Sequence, residues 1–253
     1  MGRIDLQVAE HIATITLDNP AKRNAVDAPM REGLRAAYDR VECDDDIHVA
    51  VLRGAGDQAF SSGGYIDGYH EVNAFGPDGG GPPPIPRPWP IWKPFIAAIN
   101  GYAVGGGFAL ALACDLRVVG RGATLGPSGL RRGAVQGAQQ SQRLTRLVGA
   151  SKALELLLLS RYVSGEEAAG FGLAQAVVDD DEVMNTAMEW ARTIAGYSPW
   201  AVARTKQLVY EGQHLPLAEA FAWEEEVAAE GYRRADALEG FAAFSEGREA
   251  RFS

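Results

Sequence analysis

Ile4, Leu6 and Val8 alternate with less apolar neighbours, and beyond Glu10-His11 a second run sets Ile12, Thr14 and Thr16 against Ala13, Ile15 and Leu17. Period-two alternation on both sides of a two-residue break predicts a β-hairpin. Asn19-Pro20 ends its second strand, since proline brings no donor to a ladder. From Asp27, a helix N-cap candidate, the residues Met30, Leu34, Ala37 and Val41 fall on one helical face. Asp44-Asp45-Asp46 reads as a solvated turn, and Ile47 to Leu52 as a buried strand stopped by Gly54 and Gly56.

Phe95 to Ile99 and Leu116 to Val119 are further apolar runs of strand length, separated by a glycine turn and an apolar helix from Gly105 to Cys114. Strand, glycine turn, helix and strand in that order predict an α/β layout whose parallel strands are covered by helices. Past Arg143 helical spacing dominates, and Met184 to Ala195, Pro199 to Tyr210 and Leu215 to about Phe244 form a helical C-terminal third. The interval 74–94 is different. It holds eight of the thirteen prolines and the run Gly79-Gly80-Gly81, so regular structure is not expected there. A plain linker and a lid over an apolar ligand both fit it, the second because Phe75, Trp89 and Trp92 lie in it.

Composition narrows the function. Among 253 residues, 24 basic and 33 acidic side chains leave a net charge of −9, which argues against general nucleic-acid binding while leaving room for a local basic patch. No apolar run approaches the ~18–20 residues of a membrane span. Two cysteines, Cys43 and Cys114, cannot form a disulfide framework, and both are expected to be inert packing residues. With no charged-then-apolar leader pattern at the N-terminus, a reducing cytoplasmic location is expected. The four histidines and the acidic residues show none of the spacings of known metal motifs, so no metal is expected.

Two glycine-rich strand ends are the candidate chemistry: Phe60-Ser-Ser-Gly63-Gly64 and Asn100-Gly-Tyr-Ala-Val-Gly105-Gly106-Gly107. Each is expected to end a strand and open a helix, leaving N–H groups unpaired at the positive end of a helix dipole. Tight structural turns would carry the same glycines. Two such donors converging on one point would instead make an oxyanion hole. Neither segment is a phosphate loop or a dinucleotide fingerprint.

Seven segments in order give the chain a recognisable character: Pro20-Ala-Lys-Arg-Asn24-Ala25, Ala59-Phe-Ser-Ser-Gly-Gly64, Lys93-Pro-Phe-Ile-Ala-Ala-Ile-Asn-Gly101-Tyr-Ala-Val-Gly-Gly-Gly107, Ala113-Cys-Asp-Leu-Arg117, Gln142-Arg-Leu-Thr-Arg-Leu-Val-Gly149, Ala168-Ala-Gly-Phe-Gly-Leu173, and Glu239-Gly240 with Phe244-Ser-Glu-Gly-Arg248. Over nearly its whole length the chain resembles the crotonase (enoyl-CoA hydratase/isomerase) superfamily. The resemblance implies a spiral of ββα repeats over 1–195 and a helical C-terminal region over 196–253 that forms trimers, often paired into hexamers. It implies a lyase or isomerase acting on an acyl-CoA, with the thioester as ligand and no separate cofactor. Gly64 and Gly106 match the backbone donors of the family's oxyanion hole. Lys22, Arg23, Ala25 and Ser62 match positions that hold the CoA moiety, and Phe244 and Arg248 positions where a neighbouring subunit's tail closes that pocket. Two surface charges in water would account for Lys22 and Arg23 equally well.

The chain departs from the family where protons are moved. Hydratases of the family use two glutamates, one activating water and one handling the α-proton; the matching positions here are Ala109 and Gly129. Neither side chain can transfer a proton, so hydration of simple enoyl-CoAs is expected to be weak. The aspartate that commonly follows the first donor is Tyr65, and the nucleophilic aspartate of the halobenzoyl-CoA dehalogenase branch is Gly137. Ser128-Gly129 resembles the dihydroxynaphthoyl-CoA synthase branch, where a bound anion replaces the missing glutamate. Asp67, His70 and Glu71 share one face of an expected helix opened by Gly64; they read as a hydrated face or as an acid–base group for isomerase, hydrolase or C–C bond chemistry. Tyr65 either packs or meets the substrate. Arg131 and Arg132 read as surface or subunit-contact charges, or as partners for an acyl carboxylate. Gln136, Gln139 and Gln140 add polar groups near the acyl pocket without being strong bases. A non-catalytic acyl-CoA carrier fits the same losses.

Overall fold

The computed structural model describes residues 1–64 and 91–252. The predicted hairpin is present: β1 (Arg3–Ala9) pairs antiparallel with β2 (Ile12–Asp18). Its two-residue turn puts Glu10 and His11 at φ 52° and 62°, the doubly left-handed turn that matches the twist of paired strands. Asp27 caps α1 (Ala28–Cys43) by accepting from Met30 N–H at 3.1 Å, and Met30, Leu34, Ala37 and Val41 are buried along it. The next strand, β3 (Val49–Gly54), starts two residues later than the apolar run predicts. Ile47 is spent closing the acidic turn, its N–H donating to Asp44 O at 3.0 Å.

From there the chain builds two sheets in alternation. β3, β5 (Phe95–Ile99) and β7 (Leu116–Gly120) lie side by side and parallel in the larger sheet. The strand that follows each, β4 (Ala59–Ser61), β6 (Tyr102–Val104) and β8 (Thr124–Gly126), lies parallel in the smaller one. The larger sheet runs β1-β2-β3-β5-β7-β10, closed by β10 (Ala176–Val178), and the smaller β4-β6-β8-β9, closed by β9 (Val163–Ser164). Helix α2 (Gly106–Ala113) connects β6 to β7. Each turn of chain thus adds one strand to each sheet, the repeating ββα spiral expected from the resemblance.

Period-two alternation explains why the large sheet is buried on both faces. Val49, Val51, Ile96, Ala98 and Val118 pack with Val183, Ala187 and Ala191 of α5 (Val183–Ala195). Ala50, Leu52, Phe95, Ala97 and Ile99 point the other way, into the core shared with α1 and α2. Every residue of α2 after Gly106 is buried, so this helix runs through the interior. Helix α3 (Gln140–Leu158) is broken at Gly149, whose φ and ψ are 78° and 160°. α4 (Gly165–Gly170) follows β9, with Ser164 and Glu167 forming a capping box.

The C-terminal third is helical as predicted, but Leu215 to Phe244 is two helices. α6 (Pro199–Gly212) is followed by α7 (Leu217–Gly231) and α8 (Ala235–Glu246), with extended Arg234 breaking the run. Helical spacing persists across the break, so periodicity alone does not register it. The anchor between this third and the core is Asp115, which accepts from Phe95 N–H at 2.7 Å, Lys206 Nζ at 2.8 Å and Tyr210 O–H at 2.9 Å.

Next to it, Arg117 is 1% exposed. Its guanidinium donates to Leu173 O at 2.6 Å, Cys114 O at 2.6 Å, Ala111 O at 3.3 Å and Asp115 O at 3.3 Å. Truncation would strand these carbonyls and open a cavity, each a costly event. Arg117→Ala is therefore expected to destabilise the fold by about 3 kcal/mol or more. Urea denaturation measures this, and a loss below about 1 kcal/mol would contradict the assigned role.

Candidate functional site

The two glycine turns meet. β4 ends at Ser61 and β6 at Val104, one strand over in the same sheet. The contact is backbone on backbone. A Cβ added to Gly107 would lie 2.0 Å from Ser61 O, and one added to Gly63 would lie 2.7 Å from Gly106 N. Gly63 at φ 100° and Gly105 at φ 56° also need the left-handed backbone that glycine tolerates.

Both candidate amides are left unused. Gly106 opens α2, where an N–H has no intrahelical acceptor. Val26 N–H donates to Gly63 O at 2.7 Å in an isolated parallel bridge between Val26 and Gly64, a pairing that does not use Gly64 N–H. Among the described residues neither amide has an acceptor.

The first turn is held from behind by the loop after β2. Asn24 is fully buried; its Nδ2 donates to Ala55 O at 2.9 Å and Ala59 O at 2.7 Å, and its Oδ1 accepts from Asn19 N–H at 3.0 Å. Ser61 Oγ donates to Asn24 O at 2.8 Å and accepts from Gly63 N–H at 3.1 Å. Ser62 N–H reaches Arg23 O at 2.9 Å and its Oγ donates to Lys22 O at 3.2 Å. Lys22, Arg23, Ala25 and Ser62 thus lie together beside the first glycine turn, with Arg23 5.2 Å from the centre of the Tyr102 ring.

Phe244 and Arg248 lie on and just past α8. Phe244 is 87% exposed. Arg248 is engaged within its own chain, donating to both oxygens of Glu239 at 2.6 and 2.9 Å and to Glu246 at 2.6 Å.

The other side of the site follows β8. Gly105 N–H donates to Gly126 O at 3.0 Å, so the chain leaving β8 passes directly over the second glycine turn. Ser128 Oγ would be 2.6 Å from a Cβ on Gly105. Gly129 N–H donates to Gln136 Oε1 at 3.1 Å. A Cβ on Gly129 would sit 2.9 Å from both Ala134 O and Gln136 Oε1. Gly129 has ordinary right-handed helical angles, so it is glycine because of space and not because of conformation. Ala109, one turn into α2, is fully buried. Among the described residues this side of the site brings together backbone amides, one hydroxyl and one carboxamide.

Tyr65, Asp67, His70 and Glu71 lie outside the described residues, as do Phe75 and Trp89. Arg131 is exposed, as the surface reading has it, while donating to Ser160 O at 2.6 Å and stacking 4.4 Å over Tyr162. Cys43 is exposed, against the expectation that it packs, because it falls in the last turn of α1 away from the buried face. Cys114 is buried as expected, and burial pushes its thiol up to about 12. Among the described residues no three His, Cys, Asp or Glu side chains gather as a metal site, and no helix is long and apolar enough to cross a membrane. A cavity of about 1670 Å³ lies elsewhere, between α6, α7, α8 and the core, and neither glycine turn lines it.

Comparison with known proteins agrees with this frame. The family model for enoyl-CoA hydratase/isomerase matches residues 7–253. The chain belongs to the enoyl-CoA hydratase/isomerase family. It is 35% identical to (E)-benzylidenesuccinyl-CoA hydratase of Thauera aromatica over 98% of each chain. It is 31% identical to the short-chain-enoyl-CoA hydratase of Clostridium acetobutylicum, over 98% of this chain and 97% of that one. The crystal structure of enoyl-CoA hydratase from Mycobacterium tuberculosis H37Rv superposes with a TM-score of 0.90 at 30% identity, covering 99% of this chain and 98% of that one. The fold is therefore that of the crotonase superfamily.

Within this family frame, the sequence alone gives no role to Asp115 or Arg117 and does not show Asn24 as the buried support of the first turn, although all three lie in the matched segments. Buried polar residue types inside otherwise apolar or glycine-rich motifs were the available signal.

Two outcomes test the geometry. Gly107→Ala forces a methyl onto a backbone carbonyl and is expected to cost about 1–3 kcal/mol, whereas Gly137→Ala, with open space around it, should stay within about 0.5 kcal/mol; equal effects in thermal unfolding would contradict the contact. Arg248 and the N–H of Arg251 hold the Glu239 carboxyl down to about 2 from its ordinary 4.5. A lowered carboxylate pKa contributes stability that is present above the ordinary value and fades as pH falls toward the folded one. Carbon-detected titration of Glu239 is expected to give a midpoint near 2, and a midpoint near 4.5 would mean the clamp is open in solution.

Proposed function

We propose that the protein binds an acyl-CoA thioester with its carbonyl oxygen between the N–H groups of Gly64 and Gly106, and stabilises an enolate-like state there. The observation that carries this reading is the direct contact of the two glycine turns, each leaving an amide without an acceptor among the described residues. Donors fixed before the reaction need no reorganisation when charge develops, and such a donor is typically worth about 3–4 kcal/mol. The loop carrying Lys22, Arg23 and Ala25, tied to Ser62, is the CoA subsite in this reading. Its basic side chains suit phosphates in a chain of net charge −9. No cofactor beyond the thioester is involved.

With Ala109 and Gly129 at the glutamate positions, this site holds charge but has no carboxylate at either place to move a proton. Hydration of a simple enoyl-CoA is accordingly slow, and the reaction served is another of the family's enolate chemistries. The relatives act on substrates as different as their names, benzylidenesuccinyl-CoA and short-chain enoyl-CoA, which fits a conserved thioester grip with a variable acyl end.

The chain divides functionally at 195/196, the C-terminal helices serving assembly into trimers or paired trimers. In support, Leu217, Phe221, Leu238, Phe241 and Phe244 are each more than half exposed on α7 and α8, the kind of side chain that marks an interaction surface when it is grouped. Both cysteines are free, in keeping with a reducing cytoplasmic setting.

Crotonyl-CoA turnover is expected to fall about 10²-fold or more below that of a glutamate-containing relative, and a rate within tenfold would overturn the weak-hydratase reading. Gly106→Pro removes one N–H, so thioester binding by calorimetry should be lost in protein that circular dichroism shows to be folded. Unchanged binding would sink the oxyanion reading. Light scattering of the purified chain is expected to give the mass of three or six copies; a monomer would sink the assembly role.

A further inference from the structure

The space where the family's second glutamate would stand is occupied by Gln136. Its Oε1 accepts from Gly129 N–H at 3.1 Å, and this bond decides which end of the amide is which, since an NH₂ cannot face an N–H. The Nε2 end is fully buried and, among the described residues, has no hydrogen-bond partner, on a side chain only 8% exposed. An unsatisfied buried donor costs about 1–3 kcal/mol, and native proteins keep few. The neighbouring groups have the same character. Ser128, 9% exposed, puts its Oγ against Gly105, one residue before the proposed thioester donor Gly106. Arg132 brings a cation onto this strip, donating to Ser128 O at 3.3 Å. Ala109 and Gly129 remove the two negative charges that would repel an anion here.

We infer that Gln136 is a specificity-determining residue whose Nε2 donates to a carboxylate carried on the acyl group, making the preferred ligands CoA thioesters of dicarboxylic acids. The inference rests on the acyl-CoA reading above and adds the chemistry of the acyl end. Ser128 continues the same strip of donors between the thioester and that carboxylate. Gln136 also excludes the hydratase arrangement: a glutamate at 129 would have to displace both the Gln136 amide and the carbonyl of Ala134.

The test compares succinyl-CoA with butyryl-CoA, in which a methyl replaces the carboxylate, and glutaryl-CoA with valeryl-CoA, one methylene longer. Calorimetry on the full-length protein should show the carboxylate member of at least one pair binding about tenfold tighter or more. Gln136→Leu is expected to collapse that ratio to near one. Gln136→Glu keeps the acceptor for Gly129 N–H but replaces the donor with a negative charge, and should invert the preference; it carries the test alone if the leucine variant misfolds by circular dichroism. Ratios near one in both wild-type pairs, or a preference that survives in the folded variants, overturn the assignment of Gln136. Failure of all four thioesters to bind would overturn the acyl-CoA reading itself, a result distinguishable from binding without discrimination.

Discussion

Two stretches of main chain touch here with no side chain between them, and most of the molecule can be understood as the means of holding them so. Gly107 rests on the carbonyl of Ser61 and Gly63 on the nitrogen of Gly106, both at separations that a single methyl would violate. An N–H at such a place is fixed by the backbone on both sides and has no rotamer to lose. A side-chain donor in the same position would have to be ordered first. The two sheets supply the registration: the turns follow β4 and β6, adjacent parallel strands in the smaller sheet, so two points distant in sequence are set one strand apart.

Polar residues in the interior serve that same contact from a distance. Asn24 satisfies three backbone groups from one fully buried amide and thereby fixes the loop that supports Ser61 and Ser62. Arg117 gathers carbonyls at the far end of α2, while Asp115 receives β5 and α6 together. Burying a guanidinium is costly. Several carbonyl dipoles aimed at one cation offset the cost and at the same time dictate where each segment can lie. In an interior made largely of alanine, valine and leucine, such groups specify one arrangement where packing alone would allow several.

Long elements were legible from the residues alone because they carry a period. The hairpin, α1 with its Asp27 cap, β5 and α2 all fall within a residue or two of the pattern that predicts them. The smaller sheet was not legible. Its strands are two or three residues long, too short to show alternation, and β4, β6 and β8 each follow directly on a strand of the larger sheet. The glycine turns could be located in the sequence, but their contact could not, since nothing local says that Gly63 and Gly106 are neighbours. Gln136 was visible as a polar residue near the acyl end. Its bond to Gly129 depends on the chain folding back after Gly133, and no periodicity encodes that.

The pairing of what is kept with what is lost then has a physical logic. Carboxylates placed beside a developing enolate are useful only when a proton must be moved; otherwise they raise the energy of the negative charge they face. With alanine, glycine and a neutral carboxamide at these places, the proposed site would offer donors that favour negative charge, at the thioester oxygen and further along the acyl group. The steric evidence runs the same way, because the Gln136 amide fills the volume above Gly129 and the glycine cannot be enlarged without moving the Ala134 carbonyl. A larger side chain at 129 and the glutamine at 136 would therefore compete for one volume. That volume is filled by a group bonded at one end and, among the described residues, unpaired at the other.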